Sequence, residues 1–367
     1  MSAAASIRVW PRAVAANFAA MRSRGGAAAA VVKADAYGLG LGGVVPALLA
    51  EGCDQFFVAR LEEGIALRAL ARDARIFVLD GAVAGTVAAL QAHQLVPVLS
   101  SLEQIAAWRD AKGGAAALHV DTGMNRLGVA QGDIAMATTQ LSSIELVLVM
   151  SHLACGDDPH SPMNAAQLSR FKAALAWLPP APASLAASGG VFLGKEYHFD
   201  LVRPGIGLYG GHPQPGHGGN PMRCAARLAG TVLQKRQVAA GDSVGYGASF
   251  TAQRSGTIAT IALGYADGVL RSAGNRGCVV IKGRRAPLVG RVSMDLITAD
   301  ITGMDAAVGD EAELFGPGLD LDAAADAWGT ISYELLTGLS RRIPRIYMSA
   351  GEAGSDSVPA SEIKRDA

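Results

Sequence analysis

Short apolar runs alternate with alanine-rich amphipathic stretches over the first two thirds of the chain. In order, the runs are AAAVVK (28–33), FFVAR (56–60), IFVLD (76–80), VPVLS (96–100), ALHVD (117–121), LVLVMSH (146–152), SLAAS (184–188) and LVRPG (201–205). Between them, segments such as LEEGIALRALARD and NAAQLSRFKAALAWL repeat apolar residues at i, i+3, i+4 and i+7, the spacing of one helix face. A strand apolar along its whole length is buried on both faces, as in a parallel sheet covered by helices. Eight such strands separated by helices predict an α/β fold, an N-terminal (β/α)8 barrel; a doubly wound open sheet is the other topology this alternation allows.

At 211–221 the stretch GHPQPGHGGNP has no periodicity and reads as a linker. Beyond it the texture changes to short strands at close spacing: ARLAGTVLQKRQV, GTIATIAL, GCVVIKG, APLVGRVSMDLITADI and EAELFG. This pattern predicts a small all-β, barrel-like domain, with AADAWGTISYELLTGLS as a short helix and RRIPRIYM as a last strand. The division expected is 1–220 for the barrel and 221–350 for the β domain. Residues 351–367, small, polar and charged, are expected to fray.

The ends of the eight runs carry polar groups: Lys33, Arg60, Asp80, Ser100, Asp121, His152 and Ser188, with Arg203 inside the eighth. In a barrel the carboxyl ends of the strands form the active-site mouth, so these side chains would converge there. Strands also run into ordinary polar turns, and either reading is open residue by residue. Lys33, after Val31 and Val32, suits a Schiff base, because desolvation lowers an amine's pKa and leaves more of it neutral and nucleophilic. The alternative is a surface lysine snorkelling off a strand end. The loops after strands seven and eight, AASGG (186–190) and VRPGIGLYG (202–210), offer a hydroxyl and glycine-flanked N–H groups where barrels often bind phosphate. Glycine caps on two plain turns would look the same. A Schiff-base lysine and a phosphate seat in one mouth are what pyridoxal phosphate requires.

Composition narrows the class. Half the residues are apolar and 17% charged, which permits large cores. The 32 basic and 32 acidic residues cancel, against a nucleic-acid or membrane-surface partner. Cys53, Cys155, Cys224 and Cys278 lie far apart without a CxxC pair, which argues against a metal site or disulfide framework and fits a reducing, cytoplasmic setting. The amino terminus lacks the build of a signal peptide, and no apolar run approaches about 20 residues.

VVKADAYGLG (31–40) closely resembles the cofactor-attachment segment of the alanine racemases, fold-type III pyridoxal-phosphate enzymes. The likeness continues in order through VDTGMNRLG (120–128), SHLACGDD (151–158), NAAQLSRF (164–171), FDLVRPGIGLYG (199–210), VGYGASF (244–250), LGYADG (263–268), VGRVSMD (289–295) and TISYELLTGLSRRIPRIY (330–347). It spans about residue 7 to 348.

The resemblance implies a homodimer with shared active sites, in which Lys33 anchors pyridoxal phosphate and is the base for the D-enantiomer. Tyr265, reaching in from the other subunit, is implied as the base for the L-enantiomer. It implies that Arg203 meets the pyridine nitrogen and that Tyr37, Ser188, Tyr333 and the backbone at Gly205 and Ile206 bind the phosphate. Arg126 and Met294 would meet the substrate carboxylate, and His152 would link Arg203 to the tyrosine base. Racemisation removes a proton from one face of Cα and returns it to the other, so two opposed bases make chemical sense. Lysine and tyrosine both ordinarily titrate near 10 and need help to act as bases. Outside these blocks, GYADG would read as a tight turn, His152 as a satisfied core histidine and Tyr333 as an amphipathic core residue.

One departure stands out. Many relatives carry, seven residues before the matched arginine, a carbamate-modified lysine; here that position is His119, so no carbamate forms there. Four other functions fit part of this pattern. A non-catalytic pyridoxal-phosphate carrier lacks the second domain, whereas LGYADG and VSMD are present. A fold-type III decarboxylase uses a carboxylate where Arg203 stands. A cofactor-free Schiff-base aldolase has no use for Tyr37, Arg203 and Tyr333. A broad-specificity or serine-type racemase is the nearest alternative. D-alanine supply for peptidoglycan and D-alanine catabolism are both compatible with the sequence.

Overall fold

A computed structural model describes residues 4–349; the tail at 351–367 lies outside them. The chain divides into two compact units, one of Val14–Leu208 with His212–Met222, the other of the residues up to Ala13, Tyr209–Gly211 and those from Arg223 onward.

The first strand, β1 (Ala5–Val9), falls in the second unit, which departs from the expected 1–220 grouping. The reason is pairing: its partners lie more than 200 residues downstream, and nothing local in ASIRV points to them.

In the barrel unit, β2 (Ala30–Val31), β3 (Gln55–Val58), β4 (Arg75–Val78), β5 (Val96–Leu99), β6 (Ala116–His119), β7 (Leu146–Met150) and β8 (Ala183–Ser184) form a parallel sheet in chain order. Closure comes from residues 201–204. Val202 bridges Ala28, Arg203 bridges Ala187, and the N–H groups of Ala29 and Val31 donate to the carbonyls of Val202 and Pro204, each at 2.9 Å. These residues are the eighth strand, too short for a regular ladder, and all eight expected strands have their counterpart. Their apolar side chains are buried on both faces, with Phe57 and Phe77 stacked across β3 and β4 at 4.4 Å between centroids. The surrounding helices follow their sequence signals. Leu102–Asp110 is capped by the Ser101 hydroxyl, which accepts from Gln104 N–H, and buries Ile105 and Trp108 three residues apart.

The second unit is built on β9 (Ala226–Val238), thirteen residues long and flanked by β1 and, at its buried end, β16. Its remaining strands are β10 (Ser243–Val244), β11 (Phe250–Thr251), β12 (Gly256–Ile261), β13 (Cys278–Ile281), β14 (Arg284–Pro287), β15 (Ile297–Asp300), β16 (Glu311–Phe315) and β17 (Arg345–Tyr347). One path runs β14-β13-β16-β9-β1-β17, while β12 pairs with the far half of β9 and with β15. The single helix expected at AADAWGTISYELLTGLS is two, Leu321–Trp328 and Ser332–Thr337. Gly329, left-handed at φ 76°, ends the first. Among the described residues no helix is long and apolar enough to cross a membrane.

Candidate active site

Lys33 leaves the end of β2 at the barrel mouth. Behind it the chain makes a left-handed turn, with Ala34, Asp35, Ala36 and Tyr37 all at φ 54–55°. Such a conformation costs roughly 1–2 kcal/mol per L-residue and persists only where the surroundings hold it. Several groups do so. Glu63 Oε1 accepts from Ala34 N–H at 2.7 Å, Asp35 Oδ1 accepts from Leu41 N–H at 2.8 Å, and Ala36 N–H donates to Val32 O at 2.9 Å. Burial, then the Arg126 guanidinium, lowers the Lys33 amine pKa, against the opposing charges of Glu63 and Asp80.

The turn delivers Tyr37, itself buried, to the loop after strand eight. A Cβ added at Gly205 would lie 2.3 Å from Tyr37 Oη, so only glycine permits this approach. Ser188 Oγ accepts from Gly205 N–H at 2.9 Å and from Gly207 N–H at 3.2 Å. A hydroxyl has two lone pairs and one proton, so both acceptor positions are taken and the proton remains to be donated. Tyr37, Ser188, Gly205 and the adjacent Ile206 therefore converge on one small cradle, in which the Ser188 hydroxyl is fixed by backbone N–H groups with its proton directed elsewhere, an arrangement suited to an anion such as a phosphate.

Arg203 is 3% exposed and held through both terminal nitrogens. It donates through Nη1 to Ser184 Oγ and through Nη2 to Ser151 O at 2.6 Å, with His152 Nδ1 at 3.5 Å. Its face lies over the Phe57 ring, 5.8 Å from the centroid. Desolvation brings its pKa down to about 9, which leaves it charged at neutral pH. The same cation, after burial, pushes the histidines down: His152 to about 3 and His119 to about 4. Both are neutral in the folded protein near pH 7.

Arg126 sits exposed on a turn organised by Asp121. The Asp121 carboxylate accepts from the N–H groups of Gly123 at 2.9 Å, Met124 at 3.0 Å and Asn125 at 3.1 Å. His119, at the end of β6, is buried and feels the charge of Arg126 without being able to bear a carbamate. Behind the mouth, buried Gln167 donates to Thr122 Oγ1 and to His152 O and accepts from Ala154 N–H.

The second unit carries the other expected residues. Tyr265 lies on a short turn, Tyr265–Asp267, whose N–H groups reach across to the neighbouring loop: Tyr265 to Ser293 O and Ala266 to Met294 O, both at 2.9 Å. A Cβ at Gly264 would stand 2.2 Å from Met294 O, so this strapping depends on glycine. Tyr265 is 45% exposed and Met294 54%. Tyr333, on Ser332–Thr337, is also half exposed. Lys33, Tyr37, Arg126, His152, Ser188, Arg203, Gly205 and Ile206 thus share one unit, while Tyr265, Met294 and Tyr333 belong to the other.

Two strand-end residues are structural. Ser100 is buried and bonded locally to Val98 O, and its N–H donates to Gln104. Arg60 serves the start of Leu61–Leu70. Glu63, which sequence reasoning passed over, holds the Lys33 turn. Its signal was present, a glutamate at the third position of a helix, where it caps the backbone N–H of Ala59 and Arg60.

A parallel barrel with a desolvated lysine and an anion cradle in its mouth, followed by a β-sheet unit, defines a barrel-type enzyme with an added β domain. Residues 9–213 match the alanine racemase N-terminal domain and residues 225–347 the alanine racemase C-terminal domain. The chain belongs to the alanine racemase family. It is 50% identical over 350 residues to an alanine racemase of Rhodospirillum rubrum, covering 91% of this chain and 93% of that one. It is 48% identical over 353 residues to one from Acidiphilium cryptum, covering 94% and 99%. Among solved structures, an alanine racemase from Bartonella henselae with covalently bound pyridoxal phosphate superposes with a TM-score of 0.90 at 38% identity, covering 95% of this chain and all of that one.

Proposed function

We propose that this chain interconverts L- and D-alanine, with pyridoxal phosphate held on Lys33 and with Lys33 and Tyr265 as the two opposed bases of a homodimer. The observation that carries the reading is the desolvated Lys33 on its constrained turn, beside a cradle whose free proton and close-packed glycine fit a phosphate. When bound, pyridoxal phosphate draws electrons from the Cα of an attached amino acid and so makes its proton removable.

The residues then divide the work. Ser188, Tyr37 and the backbone at Gly205 and Ile206 would hold the phosphate, with Tyr333 assigned to the same group by family likeness. Arg203, fixed by its acceptors and charged at neutral pH, would be the residue beside the cofactor's pyridine nitrogen, where its charge would disfavour protonation of that nitrogen. That moderates the electron withdrawal and suppresses competing chemistry. The burial that lowers the Lys33 pKa favours its amine as a proton acceptor on one face. Tyr265, contributed by the partner subunit, would take the Cα proton on the other face onto its Oη or return one from it. Arg126 and the Met294 backbone orient the substrate carboxylate, and His152, neutral and beside Arg203, passes that cation's influence toward the tyrosine.

Enantiomers have equal free energy, so the same enzyme supplies D-alanine to peptidoglycan or feeds its catabolism according to which enantiomer the cell consumes. A cytoplasmic location belongs to this reading, and the four free thiols suit a reducing compartment. The test is a visible absorbance scan with a racemisation panel of alanine, serine and lysine. We expect a lysine-linked cofactor band, lost in Lys33→Ala together with turnover, and alanine favoured over serine by about 10-fold or more. A wild-type protein without that band, or one equally active on lysine, contradicts the proposal.

A further inference from the structure

Three of the family-like segments contain charged residues that the two-base reading leaves without a role: Asp267 in LGYADG, Asp295 in VGRVSMD and Arg342 in the block ending SRRIPRIY. The fold brings them together. Arg342 Nε donates to Asp267 Oδ1 at 2.6 Å, and Arg342 Nη2 donates to Asp295 Oδ1 at 2.8 Å. Asp267 is buried; its Oδ2 accepts from Gly264 N–H at 2.9 Å, and its carbonyl accepts from Ser340 N–H at 3.1 Å. One guanidinium therefore ties the loop bearing Tyr265 to the loop bearing Met294, next to the backbone bonds that already strap the two.

We propose that Asp267, Arg342 and Asp295 form a positioning clamp that sets the Tyr265 phenol and the Met294 backbone as a single unit; this rests on the assignment of Tyr265 as the base for the L-enantiomer. The geometry favours this over a purely structural ion pair. Every group the clamp grips is within two residues of Tyr265 or Met294, and its outer carboxylate, Asp295, is exposed, where an ion pair by itself adds little stability. The planar fork of arginine is needed because two carboxylates are engaged at once, through different nitrogens; a lysine ammonium would reach one. Held this way, a half-exposed tyrosine keeps one orientation.

The experiment uses the holoenzyme in D2O and compares Arg342→Met, Arg342→Lys and Asp295→Asn with wild type and with Tyr265→Phe. Racemisation kcat/KM must change equally from both enantiomers, since their equilibrium constant is unity, so the informative readout is deuterium returned to the Cα of each starting enantiomer. In Arg342→Met we expect racemisation to fall roughly 10- to 100-fold, the scale of a misplaced catalytic group. Exchange into L-alanine should fall with it, while exchange into D-alanine and the cofactor's absorbance band stay at wild-type levels. Arg342→Lys should recover part of the loss, and Asp295→Asn, at an exposed position that the fold tolerates, should show a smaller loss of the same asymmetric kind. Backbone amide exchange at Gly264 should quicken in Arg342→Met. Parallel loss of exchange into both enantiomers, or unchanged exchange in all three clamp variants, overturns the clamp. If Tyr265→Phe itself leaves exchange into L-alanine intact, the base assignment fails and the clamp falls with it; if Tyr265→Phe abolishes that exchange and Arg342→Met does not, the clamp alone is wrong.

Discussion

The loops that carry Lys33 and Tyr265, the two proposed bases, hold their side chains by opposite means. Lys33 sits on four consecutive left-handed residues, none of them glycine, inside a desolvated mouth crowded with charge. Tyr265 sits on a turn that relies on glycine at Gly264 and Gly268, is half open to solvent, and is steadied by an ion-pair clamp. In the barrel, electrostatics tune the group and packing holds it. In the β unit, hydrogen bonds hold the backbone of a residue that is half exposed. On the proposed reading, the barrel loop holds the cofactor and the β loop presents its tyrosine to a partner subunit.

This contrast can be sharpened experimentally. The largest effect expected is from Tyr265→Phe. Racemisation should drop by about 10³-fold or more, within the span general acid–base catalysis contributes, while the cofactor band survives; a band lost together with activity would erase the distinction between the loops. Acidification should act on the barrel through its two buried histidines. The folded pKa values of His119 and His152, about 4 and about 3, lie below the ordinary 6.5, so between about pH 6.5 and 4 the unfolded chain binds protons that the folded chain does not. Stability is thus full above that window and declines as pH falls through it, by on the order of 3 kcal/mol for His119. His119→Gln should flatten the decline in urea-unfolding midpoints measured from pH 7 to 4; an unchanged slope would remove His119 from it. A smaller effect is expected from the paired substitutions Gly264→Ala and Ala34→Gly. The first puts a Cβ 2.2 Å from Met294 O and should destabilise by about 1–3 kcal/mol. The second relieves a left-handed alanine and should be neutral to slightly stabilising, because the relief offsets glycine's added unfolded-state entropy. Thermal melts check both, and equal destabilisation would mean the Lys33 turn is not strained.

The barrel was legible because parallel strands buried on both faces leave uninterrupted apolar runs, and all eight, from AAAVVK to LVRPG, have their place in it. Lys33 and Ser188 were legible as polar groups closing such runs. The left-handed turn was not, since Ala34, Ala36 and Tyr37 carry no glycine-like signal and their conformation is imposed by Glu63 and the Gly205 loop. The pairing of β1 with β9 and β17 was hidden by distance along the chain, and the clamp was hidden because Asp267, Asp295 and Arg342 come from three separate segments. Gly329, inside a stretch that otherwise reads as one helix, is the residue whose glycine stop signal marks the break.

The decisive measurement is subunit mixing. Lys33→Ala and Tyr265→Phe chains should each be inactive alone. If Tyr265 serves the partner's Lys33, a randomly mixed dimer has one intact site of its two, and an equimolar mixture should recover about a quarter of wild-type racemisation. Recovery at that level is the result expected from two bases on different subunits; a mixture that stays as inactive as its components contradicts it.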